Sequence, residues 1–129
     1  MRFFILEDDP ERIKWFKLNL HPTIDLDVTD DVDIAIKKLN EVEYDLIFLD
    51  HDLGGMQMVS SAERNTGYTI AKMIHLTENK KLNVIVHSWN GTGAKNMIDV
   101  MKSNGINCQY LFFRGKEFIS AIRQANEQI

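Results

Sequence analysis

Asp50-His51-Asp52 sets two carboxylates and an imidazole in a row, directly before Leu53, Gly54 and Gly55. Three further groupings carry comparable chemistry: Glu7-Asp8-Asp9, His87-Ser88 with Asn90, and Arg114 with Lys116. Such a set could accept a phosphoryl group, bind a metal, act as an acid/base pair, or form only a polar loop. Carboxylates at this density are hard oxygen ligands that suit Mg²⁺ best, with Ca²⁺ and Mn²⁺ next. Two bare carboxylates about 4 Å apart repel by roughly 4 kcal/mol at an effective dielectric near 20. Several such pairs would rival a domain's net stability of about 5–15 kcal/mol. Convergence of Glu7, Asp8, Asp50 and Asp52 therefore requires a divalent cation, shared protons, or a cationic side chain. Imidazoles titrate near neutrality, so His51 and His87 are candidates for acid/base work. With the carboxylates they would instead suit Zn²⁺ or Mn²⁺.

The chain's periodicity says where these groups sit. Residues 2–7 (RFFILE) and 44–50 (YDLIFLD) are near-continuous apolar runs, as expected of strands covered on both faces. Residues 24–29 alternate as a half-exposed strand, and residues 82–88 (LNVIVHS) and 107–113 (NCQYLFF) complete a set of five. Helices are expected between them. Asp9-Pro10 starts the first, with Ile13, Phe16 and Leu20 at helical spacing before His21-Pro22 stops it. Asp30 or Asp31 caps the second, and Val32, Ala35, Ile36 and Leu39 form its face. The third resumes near Gly67, the fourth ends at Asn104-Gly105, and the last carries Phe118, Ile119, Ile122 and Ala125. Residues 51–66 have no period, and a loop of that length is usually functional.

Strands alternating with helices imply a three-layer, doubly wound α/β fold with a parallel five-stranded sheet. In such sheets ligands bind beyond the carboxyl ends of the strands. The acidic and histidine groups end the first, third and fourth strands, so they share that edge.

The 129 residues read as one domain, residues 1–129. Net charge is −4, divided between −8 over residues 1–65 and +4 over residues 66–129. Overall acidity argues against bulk duplex nucleic acid as partner. No apolar run reaches membrane-span length, and the early acidic residues do not fit a signal peptide. One cysteine, Cys108 in an apolar strand, excludes an internal disulfide and fits a reducing cytoplasm.

"ILEDDPER" at 5–12, "DLIFLD" at 45–50 and "VIVHS" at 84–88 together resemble receiver domains of response regulators. The resemblance implies strand order 2-1-3-4-5, Mg²⁺ held by Glu7 and Asp8 together with Asp50, phosphoryl acceptance by Asp50, and a phosphate contact from Ser88. Receivers carry a lysine near the end of the fifth strand. Here Phe113 stands at that place, leaving Arg114 or Lys116 to substitute. "HDLG" and "HSWN" are similar to a divergent branch, the cyclic-phosphate-processing receiver-like domains of bacteria and phages. That likeness implies an active site of His51, Asp52, His87, Ser88 and Asn90, with Thr66-Gly67 opening the next helix.

Two functions follow as expectations. The first is a metal-assisted phosphoesterase acting on a cyclic phosphate of a small nucleotide or an RNA end. His51 and His87 would be its acid/base pair, and Asp50 and Asp52 would complete the catalytic set. Ser88, Asn90, Arg114 and Lys116 would bind phosphate. The second is a signalling receiver phosphorylated on Asp50 that binds a protein partner. An idle pseudo-receiver is a third reading. Trp89 could stack on a base, and Met56, Met58 and Val59 could form a lid. His21 and His75 receive no role.

Overall fold

The computed structural model describes residues 1–129. Strands β1 (Arg2–Leu6), β2 (Asp25–Thr29), β3 (Leu46–Leu49), β4 (Asn83–Val86) and β5 (Asn107–Tyr110) form one sheet in the order β2-β1-β3-β4-β5. All four neighbour pairs are parallel. Helices α1 (Pro10–Asn19), α2 (Val32–Glu41), α3 (Gly67–Met73), α4 (Gly91–Ser103) and α5 (Lys116–Glu127) provide the crossovers and cover both faces.

Local chemistry starts the helices where the sequence suggests. Asp9 and Asp31 accept hydrogen bonds from Glu11 N and Ile34 N at 2.9 and 3.0 Å, capping α1 and α2. Asn90 caps α4 in the same way, its Oδ1 3.0 Å from Gly93 N. The fifth strand is shorter than the expected 107–113, because the chain leaves the sheet after Tyr110. It then turns at Arg114, whose φ of 64° lies in the left-handed region.

Side chains alternate across the sheet, and register decides which of them meet. Ile5 pairs with Phe48 and Phe48 with Ile85, and all three point toward α1 and α5. There they pack with Phe3, Phe16, Phe118 and Ile122. Phe4, Leu6, Ile47, Leu49, Val84 and Val86 form the opposite core beneath α2, α3 and α4. Two residues beyond Ile5, Phe48 and Ile85 stand Glu7, Asp50 and His87. The ladder continues to them, with Asp50 N bonded to Leu6 O and His87 N to Leu49 O, both at 3.0 Å. Period two and register therefore carry these three side chains to the α1/α5 side. His51 is one residue out of phase and turns to the other side. No helix is long and apolar enough to cross a membrane.

Candidate functional site

A cleft of about 400 Å³ opens at the carboxyl edge of the sheet. Its floor and walls include Asp8, Asp9, Arg12, Asp50, Asp52, Ser88, Trp89 and Asn90, with Gly55–Met58 along the rim. Glu7 and His87 lie fully buried behind this floor.

Asp50 has one committed and one open oxygen. Oδ1 accepts the backbone N–H of His51 at 2.8 Å, whereas Oδ2 lies 3.7 Å from Arg12 Nη1. Burial, reinforced by a proton shared with neighbouring Glu7, raises Asp50 from the usual carboxylate range to about 8. Burial likewise raises Glu7, against the opposing pull of Asp50 and Arg12.

Arg12 is the cation that sequence reading missed. Its Nη1 is 3.4 Å from Glu7 Oε1, and its guanidinium carbon lies 4.2 Å from the Trp89 ring and 5.0 Å from Phe113. Trp89 and Phe113 fix the flat guanidinium where it faces the two buried acids. A signal existed: residues 12, 16 and 20 share one helix stripe, so Arg12 occupies a core position beside Phe16 and Leu20.

Arg114 and Lys116, expected to bind phosphate, do not reach the cleft. Both are exposed and neither lines it. The turn at Arg114 carries them outward while Phe113 turns in beneath Arg12. The cation is therefore supplied from α1 rather than from the end of β5.

The expected pairing of His51 with His87 also needs correction, because the alternation of the strands sends the rings to opposite sides of the sheet. The His51 ring is fully buried, and both nitrogens are taken. Nδ1 lies 2.8 Å from Asp52 Oδ1, and Nε2 lies 2.9 Å from Ser61 Oγ, which also accepts from Asn96 Nδ2. These contacts define one consistent chain: Asn96 donates to Ser61, Ser61 donates to Nε2, and Nδ1–H donates to Asp52. Gly93 makes room for the ring, since a Cβ there would fall 2.4 Å from His51 Cγ.

Asp52 organises the loop. It accepts Met58 N at 2.7 Å, Val59 N at 3.2 Å and Asn90 Nδ2 at 3.0 Å. These donors and His51 hold its carboxyl below the usual value, outweighing the opposing effect of burial. Asn90 also donates to Val59 O at 3.1 Å, so it joins the loop to the start of α4. The same loop is tied to the first acidic cluster, where Asp8 Oδ2 accepts Gly55 N at 2.6 Å. Gly67 lets α3 begin against the end of β3, where a Cβ would meet Asp50 O at 1.9 Å. Met56 and Met58 stand exposed at the cleft mouth.

His87 occupies a different setting. Its ring sits among Phe16, Phe48, Phe113 and Phe118, with centroids 5.6–6.3 Å away. Burial lowers it to about 4, so the ring is neutral at neutral pH. Nε2 faces Glu7 Oε1 at 3.7 Å, and the donor atoms of Glu7, Asp50 and His87 lie within 4.8 Å of one another. Asp8, expected in the metal set, borders the cleft but is bonded to the loop, and it is His87 that stands beside Glu7 and Asp50. Ser88 Oγ accepts Asn90 N at 3.0 Å at the cleft wall, and the Ser88 carbonyl accepts the Tyr110 hydroxyl at 2.7 Å.

A parallel sheet of this order, with acids ending β1 and β3 and a serine after β4, defines a receiver-type domain. Solved receivers superimpose on nearly the whole chain. The receiver domain of a sensor histidine kinase from Pseudomonas aeruginosa PAO1, which has a magnesium ion coordinated in its active-site cleft, is 18% identical with a TM-score of 0.68. That match covers 98% of this chain and 94% of the other. The response regulator domain of Thermotoga maritima CheB is 19% identical with a TM-score of 0.65, covering 98% and 96%. A Francisella response regulator receiver domain is 21% identical with a TM-score of 0.66, covering 98% and 97%. At these identities the likeness concerns the fold. No curated protein sequence gives a match. The model of the cyclic-phosphate processing receiver domain matches residues 4–103, and the chain belongs to that family.

Proposed function

We propose that the cleft binds and hydrolyses a cyclic phosphate, carried by a small nucleotide or an RNA end. The observation that carries this reading is the approach of the open Asp50 Oδ2 to the Arg12 guanidinium at the cleft floor. Arg12 holds an equatorial oxygen of the phosphate through a charge-assisted hydrogen bond, and Ser88 Oγ offers a second contact. Above about pH 8, where Asp50 has given up its own proton, its Oδ2 takes the proton of an attacking water as the water oxygen bonds to phosphorus. The ring P–O bond opposite breaks, and the leaving oxygen takes a proton from water at the open mouth, giving a phosphomonoester. His51, Asp52 and Asn90 act by holding the loop against α4, so they position the site rather than transfer protons. A divalent cation bound at the Glu7–Asp50 end, Mg²⁺ being the ion in one structural neighbour's cleft, would stabilise charge on the phosphate oxygens.

The second reading, a receiver phosphorylated on Asp50 that signals to a protein partner, is favoured by Ser88 lining the same cleft as that carboxylate. One experiment separates the two. The protein is incubated with 2′,3′-cyclic nucleotides, cyclic-phosphate RNA and a panel of divalent cations, alongside Asp50→Asn and Arg12→Ala. Hydrolysis lost in both variants, with their folds intact by circular dichroism, supports the esterase. No hydrolysis, but a stable acyl phosphate on Asp50 from a small phosphodonor, overturns it.

A further inference from the structure

His87 is buried in full, and neither of its ring nitrogens has a hydrogen-bond partner. A buried polar group left unpaired costs about 1–3 kcal/mol, so a retained one calls for an occupant. Its surroundings restrict what that occupant can be. Four phenylalanine rings wall the imidazole, and its one polar exit is Nε2, 3.7 Å from Glu7 Oε1. That distance is too long for a hydrogen bond. It does suit two donors sharing one ion, since ligands bound at about 2.1 Å sit roughly 3–4 Å apart. Asp50 completes a set whose three donor atoms lie within 4.8 Å of one another.

We propose that Glu7, Asp50 and His87 form a mixed oxygen–nitrogen site for a first-row transition-metal ion, with His87 Nε2 as a direct ligand. The nitrogen sets the choice of ion. An imidazole is a poor ligand for Mg²⁺ and Ca²⁺ but suits Mn²⁺, Fe²⁺, Co²⁺ and Zn²⁺. Arg12 does not close the site. Its contacts to Glu7 and Asp50 are long, at 3.4 and 3.7 Å, and its guanidinium already lies over the half-exposed Trp89. Moving outward over that ring, Arg12 leaves the two carboxylates to the ion and stays within the cleft as a phosphate anchor.

The inference names the cation of the proposed esterase and rests on that reading only for the use made of the ion; binding is measured apart from turnover. Metal-free protein is titrated calorimetrically with Mg²⁺, Mn²⁺, Co²⁺ and Zn²⁺, each alone. Mn²⁺-loaded protein is then examined by pulsed electron paramagnetic resonance with ¹⁴N- and ¹⁵N-histidine labelling. The expected results are Co²⁺ and Zn²⁺ affinities at least about tenfold above that of Mg²⁺, and a histidine-nitrogen coupling in the wild type. His87→Leu should remove the coupling and the preference together. The proposal is overturned if Mg²⁺ binds as tightly as Co²⁺, or if bound Mn²⁺ shows no histidine nitrogen. Nitrogen-ligated metal without hydrolysis supports this site and sinks the esterase reading. Hydrolysis with an all-oxygen metal does the reverse.

Discussion

His51 and His87 stand at the ends of adjacent strands, both fully buried, in opposite conditions. His51 is bonded at both nitrogens, and its partners reach the loop and α4. His87 has aromatic rings around it and no hydrogen bond. The first is what a structural histidine looks like, with every polar atom satisfied and a glycine cleared to admit it. The second carries a polar edge that contributes nothing to the fold as it stands. Burial alone does not distinguish a scaffold residue from a ligand; the accounting of partners does.

The largest expected effect breaks the satisfied side. His51→Leu strips partners from Asp52 and Ser61, and it should cost about 2–4 kcal/mol in urea unfolding. It should also raise amide exchange at Met58 and Val59, whose N–H groups bond to Asp52. A loss below about 1 kcal/mol would contradict the scaffold role.

The next effect concerns charge behind the cleft. Asp50 binds its proton up to about pH 8 when folded, against 3.8 for an ordinary aspartate. The folded state therefore holds more protons than the unfolded one between these values, and stability falls as pH rises through them. His87 acts oppositely. Lowered to about 4 from 6.5, it lends rising stability between those values and nothing above them. Between pH 6.5 and 8.5 His87 adds no further change, and comparison with Asp50→Asn reads the Asp50 contribution against the background of Glu7, which burial also raises. In metal-free buffer, Asp50→Asn should be more stable than wild type by about 1–4 kcal/mol at pH 8.5, with the advantage shrinking toward pH 6.5. An equal or lower stability at pH 8.5 would place the charge in a better-compensated setting.

The smallest effect is at the other histidine. His87→Leu exchanges an unpaired ring for an apolar side chain among phenylalanines, so stability should stay within about 1 kcal/mol of wild type or rise. A loss matching that of His51→Leu would erase the contrast between the two rings.

Much of this was legible before folding. Apolar runs ending in Glu7, Asp50 and His87-Ser88 marked both the strands and the edge where ligands bind. The cap at Asp9 was legible as well, and the resemblance carried by "HDLG" and "HSWN" pointed to the correct family. Arg12 was missed because an arginine in a helix is read as solvent-facing, although its place above Phe16 put it in the core stripe. Arg114 and Lys116 were misplaced because charge along the chain says nothing of where a turn points. The strand assigned to 107–113 ended at Tyr110, and the chain then turned those side chains to solvent.

The amino-acid sequence by itself determined the order of strands and helices and the acidic edge, because hydrophobic period and capping act over a few residues. Only the tertiary structure decided which ionisable groups meet. Side chains alternate along a strand, so a step of one residue sends His51 to the loop side of the sheet. Register between strands brings Glu7, Asp50 and His87 into one row, and the packing of α1 delivers Arg12 to them. Those choices depend on pairing between segments tens of residues apart.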